Sequence, residues 1–293
     1  MRARAFQQVD VFTATPYRGN PVAVVLDGAD LSDAQMQDFA RWTNLSETTF
    51  VLAPTDALAD YRLRIFTPGG ELQFAGHPTL GSCHAWMEHG GKPKSSAEVL
   101  QQCGVGLVRI RRDSARLAFA APALQRAAPA SDLLASVTRA LGLATAQVQA
   151  AQMLDNGTSW LGLLLDGAPT VQQLAPDFAA LKQLGHKVGV AGLHAAFASM
   201  NGGQHPRREG DSPALEVRAF APHLGVDEDP VTGSLNASLA QWLIADGHLP
   251  DAYIAAQGQR LGRAGRVYLK RDDASQVWVG GQAISCISGS VHL

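Results

Sequence analysis

The stretch LQFAGHPTLGSCHAW, residues 72–86, decides how this chain of 293 residues is organised. It changes from a strand-like run to a helix-like run at His77 and Pro78. The predicted helix then starts with Thr79, Leu80 and Gly81, each of which carries a backbone N–H group. The first turn of a helix has unpaired backbone N–H groups and a partial positive charge, so it can hold a carboxylate without a basic side chain. A single turn of this kind is more often an ordinary helix start than a binding site.

A related turn occurs later in the chain. HPTLGS (77–82) aligns with DPVTGS (229–234), with Pro, Gly and Ser in register. The second turn also brings small residues to a predicted helix start, namely Thr232, Gly233 and Ser234. Each turn carries a titratable residue before its proline, His77 in one and Asp229 in the other. Two related turns with such residues favour a functional site between the two halves of the chain over two independent helix starts.

Further repeated segments predict an internal duplication. DGADLSDAQMQDFA (27–40) and DGAPTVQQLAPDFA (166–179) are identical at six of fourteen positions, and RIFTP (64–68) is similar to RAFAP (218–222). Several matches in the same order are typical of a duplicated unit. The offset grows from 139 residues to 152–154. We expect the extra residues in the polar segment 201–213, because surface loops tolerate insertions.

The order of predicted elements indicates an α+β fold. Each half has strands, a short helix, more strands, a turn that opens a longer helix (78–90 and 232–247), and terminal strands. Small residues between the apolar positions of the second long helix suit a helix surrounded by a sheet. We predict two pseudo-symmetric domains, 1–127 and 128–293, each a mostly antiparallel sheet or barrel wrapped around a central helix, with the last strand free to cross back to the first domain. Residues 131–145 are predicted to form a linking helix capped by Ser131 or Asp132.

Composition and missing motifs narrow the function. The formal net charge is -2 and charged residues are 17% of the chain, with no long basic run, so we expect neither a nucleic acid nor a membrane surface as a partner. No apolar run approaches a membrane span and the N-terminus lacks the apolar stretch of a signal peptide, which predicts a cytoplasmic protein. Three cysteines without CxxC spacing argue against disulfides or a zinc cluster. Common hydrolase, P-loop and dinucleotide-binding motifs are absent, so a small-molecule partner is the best expectation.

Glu47 is a third candidate, in NLSETTF (44–50) between a polar turn and an apolar strand. The commonest fate of such a glutamate is a solvated or capping position. If it instead lies in a cleft, partial desolvation would suit its carboxyl group to proton transfer near neutral pH.

Four blocks, DVFTATPYRGNPVAVV, NLSETTFV, RIFTPGGELQFAGHPTLG and RAFAPHLGVDEDPVTGS, occur in that order and resemble the PhzF family of phenazine-biosynthesis-type isomerases. The resemblance covers nearly the whole chain and implies the diaminopimelate epimerase-like fold, with the site in a cleft between two pseudo-symmetric domains. It implies Glu47, His77 and Asp229 as catalytic residues. Together with the helix starts, it gives the substrate-binding candidates Gly76, Thr79, Gly233 and Ser234. No metal and no cofactor are expected.

The implied reaction is similar to that of trans-2,3-dihydro-3-hydroxyanthranilate isomerase, with Glu47 as base and then as acid, on a small substrate that bears a carboxylate. A homodimer is implied by family analogy alone. The epimerase branch of the fold uses a pair of cysteines, but the thiol nearest the first turn, Cys83, lies six residues beyond His77. Thiol chemistry is therefore disfavoured. Two alternatives stay open: an epimerase or racemase without a thiol pair, and a small-molecule-binding protein without catalysis.

Overall fold

The chain folds into two units, each with one buried helix surrounded by strands. A computed structural model describes residues 1–113, 115–198 and 212–293. The first unit contains Met1–Ala120 and Gly280–Leu293, and the second contains Ala121–Val279. Most of the segment in which the sequence predicts an insertion, 201–213, lies outside the described residues.

The unit boundary lies at Ala120/Ala121, whereas the sequence analysis placed it at 127/128. The reason is a short strand, β9 (Gln125–Ala127), which pairs with β10 (Val148–Asp155) of the second unit. The segment from residue 121 to this strand therefore belongs with the second unit.

Strands of the first unit form a mostly antiparallel sheet. Its elements, labelled in chain order, are β1 (Ala3–Val11), β2 (Asn20–Val25), α1 (Asp33–Thr43), β3 (Thr48–Leu52), β4 (Tyr61–Thr67), β5 (Gly70–Leu72), α2 (Gly76–Glu88), β6 (Glu98–Cys103), β7 (Gly106–Asp113), β8 (Arg116–Ala120) and β18 (Ala283–His292). Antiparallel pairs join β18 to β1, β1 to β2, β3 to β4, β4 to β5, β6 to β7 and β7 to β8. Parallel pairs join β2 to β3 and β4 to β6.

The second unit repeats this order of pairings. Its other elements are α3 (Ser131–Ala140), β11 (Ser159–Leu165), α4 (Ala168–Gln173), α5 (Phe178–Leu184), β12 (Val188–Leu193), α6 (Ala195–Ala198), β13 (Leu215–Ala221), β14 (Val226–Asp229), α7 (Gly233–Ala245), β15 (Ala252–Gln257) and β16 (Gly265–Arg271). The strand β17 (Val277–Gly281) contains the unit boundary at Val279/Gly280. Antiparallel pairs join β10 to β11, β12 to β13, β13 to β14 and β15 to β16. Parallel pairs join β11 to β12 and β13 to β15. The predicted α+β class is therefore confirmed.

Most of each central helix is buried, because small and apolar residues dominate its sequence. In α2, Leu80 and Cys83 are fully buried, and the helix packs on strands that include β1, β2, β3 and β8. A Cβ atom at Gly81 would lie 2.4 Å from the Cγ1 atom of Val22, so the helix and β2 approach too closely for a side chain there. In α7, Leu235, Leu239 and the residues between them are buried, and this helix packs on β10, β11 and β16.

Outer helices complete each unit, and here the two differ. In the first unit, α1 packs Met36 and Phe39 against Phe50 and Phe66 of the sheet. In the second unit the repeated segment forms two short helices, α4 and α5, because Pro176 interrupts it and Asp177 caps α5. The cap predicted for the linking helix was wrong. Its N-cap is Ala130, so Ser131 and Asp132 both lie within the first turn of α3.

In the described part of the chain, short 3-10 helices occupy Thr145–Gln147, Pro222–Leu224 and Gln259–Leu261. Within the ranges that the structure describes, no helix combines the length and the apolar character that crossing a bilayer requires.

Candidate functional site

Glu47 is positioned by the end of α1. The helix starts with a capping box between Ser32 and Gln35. It ends at Asn44, which takes a left-handed conformation with a φ of 53°. This sharp stop turns the chain back into β3, whose first residue is Thr48, and the hydroxyl groups of Thr43 and Thr48 lie 2.8 Å apart across the turn. Glu47 therefore occupies the short link between a capped helix and a buried strand.

The carboxylate of Glu47 contacts the imidazole of His77. The Oε2 atom of Glu47 lies 3.2 Å from the Nε2 atom of His77, and the two side chains are only 16% and 6% exposed. His77 is the second residue of α2, so the helix holds the imidazole on a rigid element. A carboxylate and an imidazole in contact, both largely shielded from water, are well suited to transfer and stabilise protons. The structure thus brings together two of the three predicted catalytic residues.

The start of α2 has the features that the sequence suggested for an anion-holding turn. Its N-cap residue is Ala75, which has no side-chain oxygen to satisfy the first N–H groups, and the first turn contains no acidic residue. Gly76 is buried as the first residue of the helix. Thr79 is fully buried, and its hydroxyl accepts a hydrogen bond of 3.0 Å from the Nε2 atom of Gln101. The substrate-binding roles of Gly76 and Thr79 stay predictions.

The second turn, in the other unit, is built around Asp229 and Thr232. Asp229 is the last residue of β14, and Thr232 is the N-cap of α7. The hydroxyl of Thr232 donates a hydrogen bond of 2.5 Å to the Oδ2 atom of Asp229. Gln257 binds both residues and is almost fully buried.

Ser234 is held by hydrogen bonds from two side chains of the second unit. The indole N–H of Trp160 donates to the hydroxyl of Ser234 at 3.2 Å, and the side-chain amide of Asn156 donates to its carbonyl at 3.0 Å. Gly233, buried, precedes it as the first residue of α7. The first turn of α7 thus has a fixed geometry.

The two turns correspond in a different register from the one the sequence suggested. Both central helices have 13 residues, and they begin at Gly76 and Gly233. The structural counterpart of His77 is therefore Ser234. Before the helices, Leu72 pairs with Ile65 of β4 in the way that Asp229 pairs with Ala219 of β13.

It follows that His77 and Asp229 are not counterparts. The two prolines, which suggested the sequence alignment, occupy different positions: Pro78 lies inside the first turn of α2, whereas Pro230 lies before the N-cap of α7. The HPTLGS and DPVTGS segments match in sequence but take different positions relative to their helices. The second residue of the central helix carries an imidazole in the first unit (His77) and a hydroxyl in the second (Ser234).

Two of the three thiols, those of Cys83 and Cys103, have raised pKa values. All three cysteines are free in the residues that the structure describes. Burial raises the pKa of the Cys83 thiol to about 12, although a nearby hydrogen bond with Tyr61 acts in the opposite direction. Burial also raises the pKa of Cys103. A thiol in either place stays protonated near neutral pH, and a protonated thiol cannot accept a proton from carbon. Across the described ranges, no group of three or more His, Cys, Asp or Glu side chains is arranged to hold a metal ion.

Sequence reasoning missed Gln257, which ends the apolar strand β15. A buried amide at the end of such a strand needs several hydrogen-bond partners, and the run AYIAAQ (252–257) contains this signal. The sequence does not show which loop the amide of Gln257 contacts, because its hydrogen-bond partners lie more than twenty residues away in the chain.

Comparison with known proteins identifies relatives over the whole chain. A sequence model of the PhzC-PhzF family, described as phenazine biosynthesis-like protein, matches residues 9–289. Antisense-enhancing sequence 1 of Schizosaccharomyces pombe is 37% identical, covering 99% of both chains. Trans-2,3-dihydro-3-hydroxyanthranilate isomerase of Pseudomonas aeruginosa is 32% identical, covering 97% of this chain and 98% of the relative. The crystal structure of a PhzF-family phenazine biosynthesis protein from Bacillus anthracis shares the fold, with a TM-score of 0.82, 22% identity and full coverage of both chains.

Proposed function

Because the chain belongs to the PhzC-PhzF family of phenazine biosynthesis-like proteins, we propose that it is a cofactor-independent isomerase that moves a proton on a small substrate bearing a carboxylate. The observation that carries this proposal is the contact of 3.2 Å between Glu47 and His77 at the start of a buried helix. Relatives named as isomerases, among them trans-2,3-dihydro-3-hydroxyanthranilate isomerase, support the reaction class.

Glu47 is the group that carries the proton. Its carboxylate takes a proton from a carbon next to a conjugated system, so that a C–H bond breaks, an O–H bond forms and the electron pair is delocalised in the substrate. Glu47 then returns a proton to a second carbon of that system, which restores the carboxylate and gives an isomer. No oxidant, reductant or other reactant is consumed. The largely buried position of Glu47 limits solvation of its carboxylate and so favours this exchange.

His77 orients Glu47 and assists the transfer. Its imidazole lies against the carboxylate, with the Nε2 atom 3.2 Å from the Oε2 atom of Glu47, and so restricts the position of the carboxylate. Because His77 is part of α2, its imidazole is held by a helix. We assign Asp229 as a polar group that orients the substrate.

The substrate carboxylate is assigned to the first turn of α7. The helix begins at Gly233, its first turn contains no acidic residue, and Ser234 is fixed by Trp160 and Asn156. Backbone N–H groups and the helix dipole at such a start stabilise an anion. Gly76 is the corresponding candidate of the first unit, whereas the Thr79 hydroxyl is buried against Gln101 and its backbone N–H donates to the carbonyl of Ala75.

Turnover of defined compounds tests the proposal. Purified protein is incubated with trans-2,3-dihydro-3-hydroxyanthranilate and with a panel of small unsaturated carboxylates, and products are followed by proton NMR and chiral chromatography. We expect a constitutional isomer of at least one compound. A product that differs only in the configuration of one centre would instead indicate an epimerase, and tight binding without conversion would indicate a protein that only binds its ligand. The predicted duplication, homodimer and cytoplasmic location stay predictions.

A further inference from the structure

Gln257 uses its whole side-chain amide to hold the loop that leads into α7. Its Nε2 atom donates to the carbonyl of Asp229 at 3.1 Å and to the hydroxyl of Thr232 at 2.9 Å. Its Oε1 atom accepts from the backbone N–H of Thr232 at 3.0 Å and from the amide of Asn236 at 2.9 Å. The side chain is 1% exposed. Both donors and both acceptor positions of the amide are therefore occupied inside the protein.

The orientation of the Gln257 amide is fixed because two of its partners are backbone groups, one of which can only donate and the other only accept a hydrogen bond. A backbone N–H only donates and a backbone carbonyl only accepts, so Thr232 N–H must face the Oε1 atom and the Asp229 carbonyl must face the Nε2 atom of Gln257. Rotating the amide by half a turn would place donor against donor at Thr232. Asn236 is fixed in the same way, because its Nδ2 atom also donates to the carbonyl of Thr232 at 2.9 Å.

This fixed orientation sets the direction of the Thr232 hydroxyl. Its oxygen accepts a hydrogen bond from the amide of Gln257, and its own O–H donates to the Oδ2 atom of Asp229, 2.5 Å away. That distance is typical of a hydroxyl that donates to a charged carboxylate. The carboxylate of Asp229 is thus held through one oxygen by a hydroxyl that is itself held by a buried amide.

The first unit also has a buried side-chain amide, that of Gln101, but its two hydrogen-bond partners are hydroxyl groups and not a carboxylate. Gln101 donates to the hydroxyl of Thr79 at 3.0 Å and accepts from the hydroxyl of Tyr61 at 2.9 Å. All three of these side chains are neutral and buried, so that network fixes the packing of α2. Only the network of the second unit ends on a titratable group that is a candidate for the reaction.

We propose that Gln257 and Thr232 are positioning residues that fix the carboxylate of Asp229 for substrate orientation during the isomerisation. This inference rests on the proposed function, because it assigns Asp229 a role in the reaction. Thr232 acts directly on the carboxylate, and Gln257 acts through Thr232. A carboxylate misplaced by about 1 Å would slow the reaction by about 10²-fold.

Two substitutions at Thr232 separate the hydroxyl from the shape of the side chain. Thr232→Val keeps the shape and removes the hydroxyl, and Thr232→Ser keeps the hydroxyl. We expect Thr232→Val to lower kcat by about 10²-fold with little change in KM, and Thr232→Ser to stay within about threefold of the wild type. Gln257→Glu places a carboxylate oxygen where the amide donated, which draws the Thr232 proton away from Asp229, so kcat should fall as in Thr232→Val.

Crystal structures of the wild type and of both Thr232 variants accompany the kinetics. We expect the Asp229 carboxylate to leave its position in Thr232→Val and to keep it in Thr232→Ser. The positioning role is overturned if the carboxylate does not move in Thr232→Val, or if the two variants have the same kcat. If the wild type converts none of the compounds, the proposed function fails by itself, and the position of Asp229 in the variant structures still decides whether Thr232 holds it.

Discussion

Arg64 in the first unit and Arg218 in the second have the same position in their sheets, each the fourth residue of a seven-residue strand. Arg64 donates two hydrogen bonds of 2.7 Å to Glu71, and Arg218 donates two of 2.9 and 2.8 Å to Glu228. The first pair is 15% and 36% exposed, whereas both members of the second pair are 5% exposed. The geometry is the same, but water screens only the first pair, so the consequences of losing each one differ.

The same contrast continues at the helix starts that follow these ion pairs. The first unit places a carboxylate and an imidazole in contact, Glu47 with His77. The second unit places a serine where the imidazole would be and holds the carboxylate of Asp229 with a hydroxyl. A repeated frame of strands and one helix therefore supports two different sets of polar groups.

The largest effect is expected at Glu47. Glu47→Gln removes the group that accepts the proton while keeping the size of the side chain, so kcat should fall by about 10³-fold or more. The matched control is Glu98→Gln, because Glu98 is paired with Arg109 and Arg111 at the edge of the same unit. Steady-state kinetics of both variants measure the difference. Equal activity in the two variants would contradict proton transfer by Glu47.

The two ion pairs should differ strongly in stability when one partner is removed. Arg218→Met leaves Glu228 buried without its guanidinium and also removes hydrogen bonds to the carbonyls of Val171 and Leu174, so the free energy of unfolding should fall by about 3–5 kcal/mol. Arg64→Met should cost about 0–1 kcal/mol, because Glu71 stays solvated. Urea unfolding of both variants measures this, and equal losses would show that burial does not distinguish the pairs.

The helix starts should differ in which kinetic constant they control. His77→Asn removes the imidazole that contacts Glu47, so kcat should fall by about 10²-fold. Ser234→Ala removes a hydroxyl at the proposed carboxylate position, so KM should rise by about tenfold with a smaller change in kcat. Kinetics of the two variants under identical conditions test this division. A mainly KM effect for His77→Asn would assign it to binding instead.

One contribution to the pH dependence of stability is expected from Glu216 of the second unit. Arg62 and Glu216 are the second residues of β4 and β13, and burial raises the pKa of Glu216, while hydrogen bonds from Gln172 and His194 and the charges of His194 and Arg266 oppose this. The folded protein therefore binds this proton more tightly than the unfolded chain, so its contribution to stability falls as the pH rises above the ordinary value of 4.5.

Glu216→Gln should remove this pH-dependent contribution to the free energy of unfolding. Relative to the wild type, the variant should gain stability as the pH rises from the ordinary pKa of glutamate towards neutrality. Urea midpoints of both proteins at a series of pH values measure it. A difference between the two proteins that does not depend on pH would rule out a raised pKa for Glu216.

The smallest effect is expected at Cys83. Its thiol has a pKa raised to about 12 by burial, so it is not a base near neutral pH. Cys83→Ala should keep kcat within about threefold of the wild type, with a modest loss of stability from the smaller buried side chain. Loss of turnover in a folded Cys83→Ala variant would instead favour the thiol chemistry of an epimerase.

The sequence was sufficient for the fold class and for the two central helices, because strong local signals define them. Small residues follow a turn at both helix starts, and Gly247, with a φ of 77°, lies just past the end of α7. Local signals failed where several residues could serve equally well. Ser131 is a good cap by type, yet Ala130 is the N-cap of α3.

Long-range contacts account for what the sequence could not predict. The contact of Glu47 with His77 joins residues from different elements, and the register of the two turns depends on strand pairing rather than on the prolines they share. The network of Gln257 depends on the pairing of β15 with β13, which brings the end of β15 to the loop before α7. None of these contacts has a periodic signal in the chain.

Solvent labelling tests the central claim most directly. The wild type and Glu47→Gln are each incubated with trans-2,3-dihydro-3-hydroxyanthranilate in deuterium oxide, and deuterium in substrate and product is measured by mass spectrometry and NMR. If Glu47 carries the proton, the wild type should introduce solvent deuterium at the carbon that is protonated, and Glu47→Gln should introduce none above the uncatalysed rate. Product without deuterium from the wild type, or equal labelling by Glu47→Gln, would contradict the account.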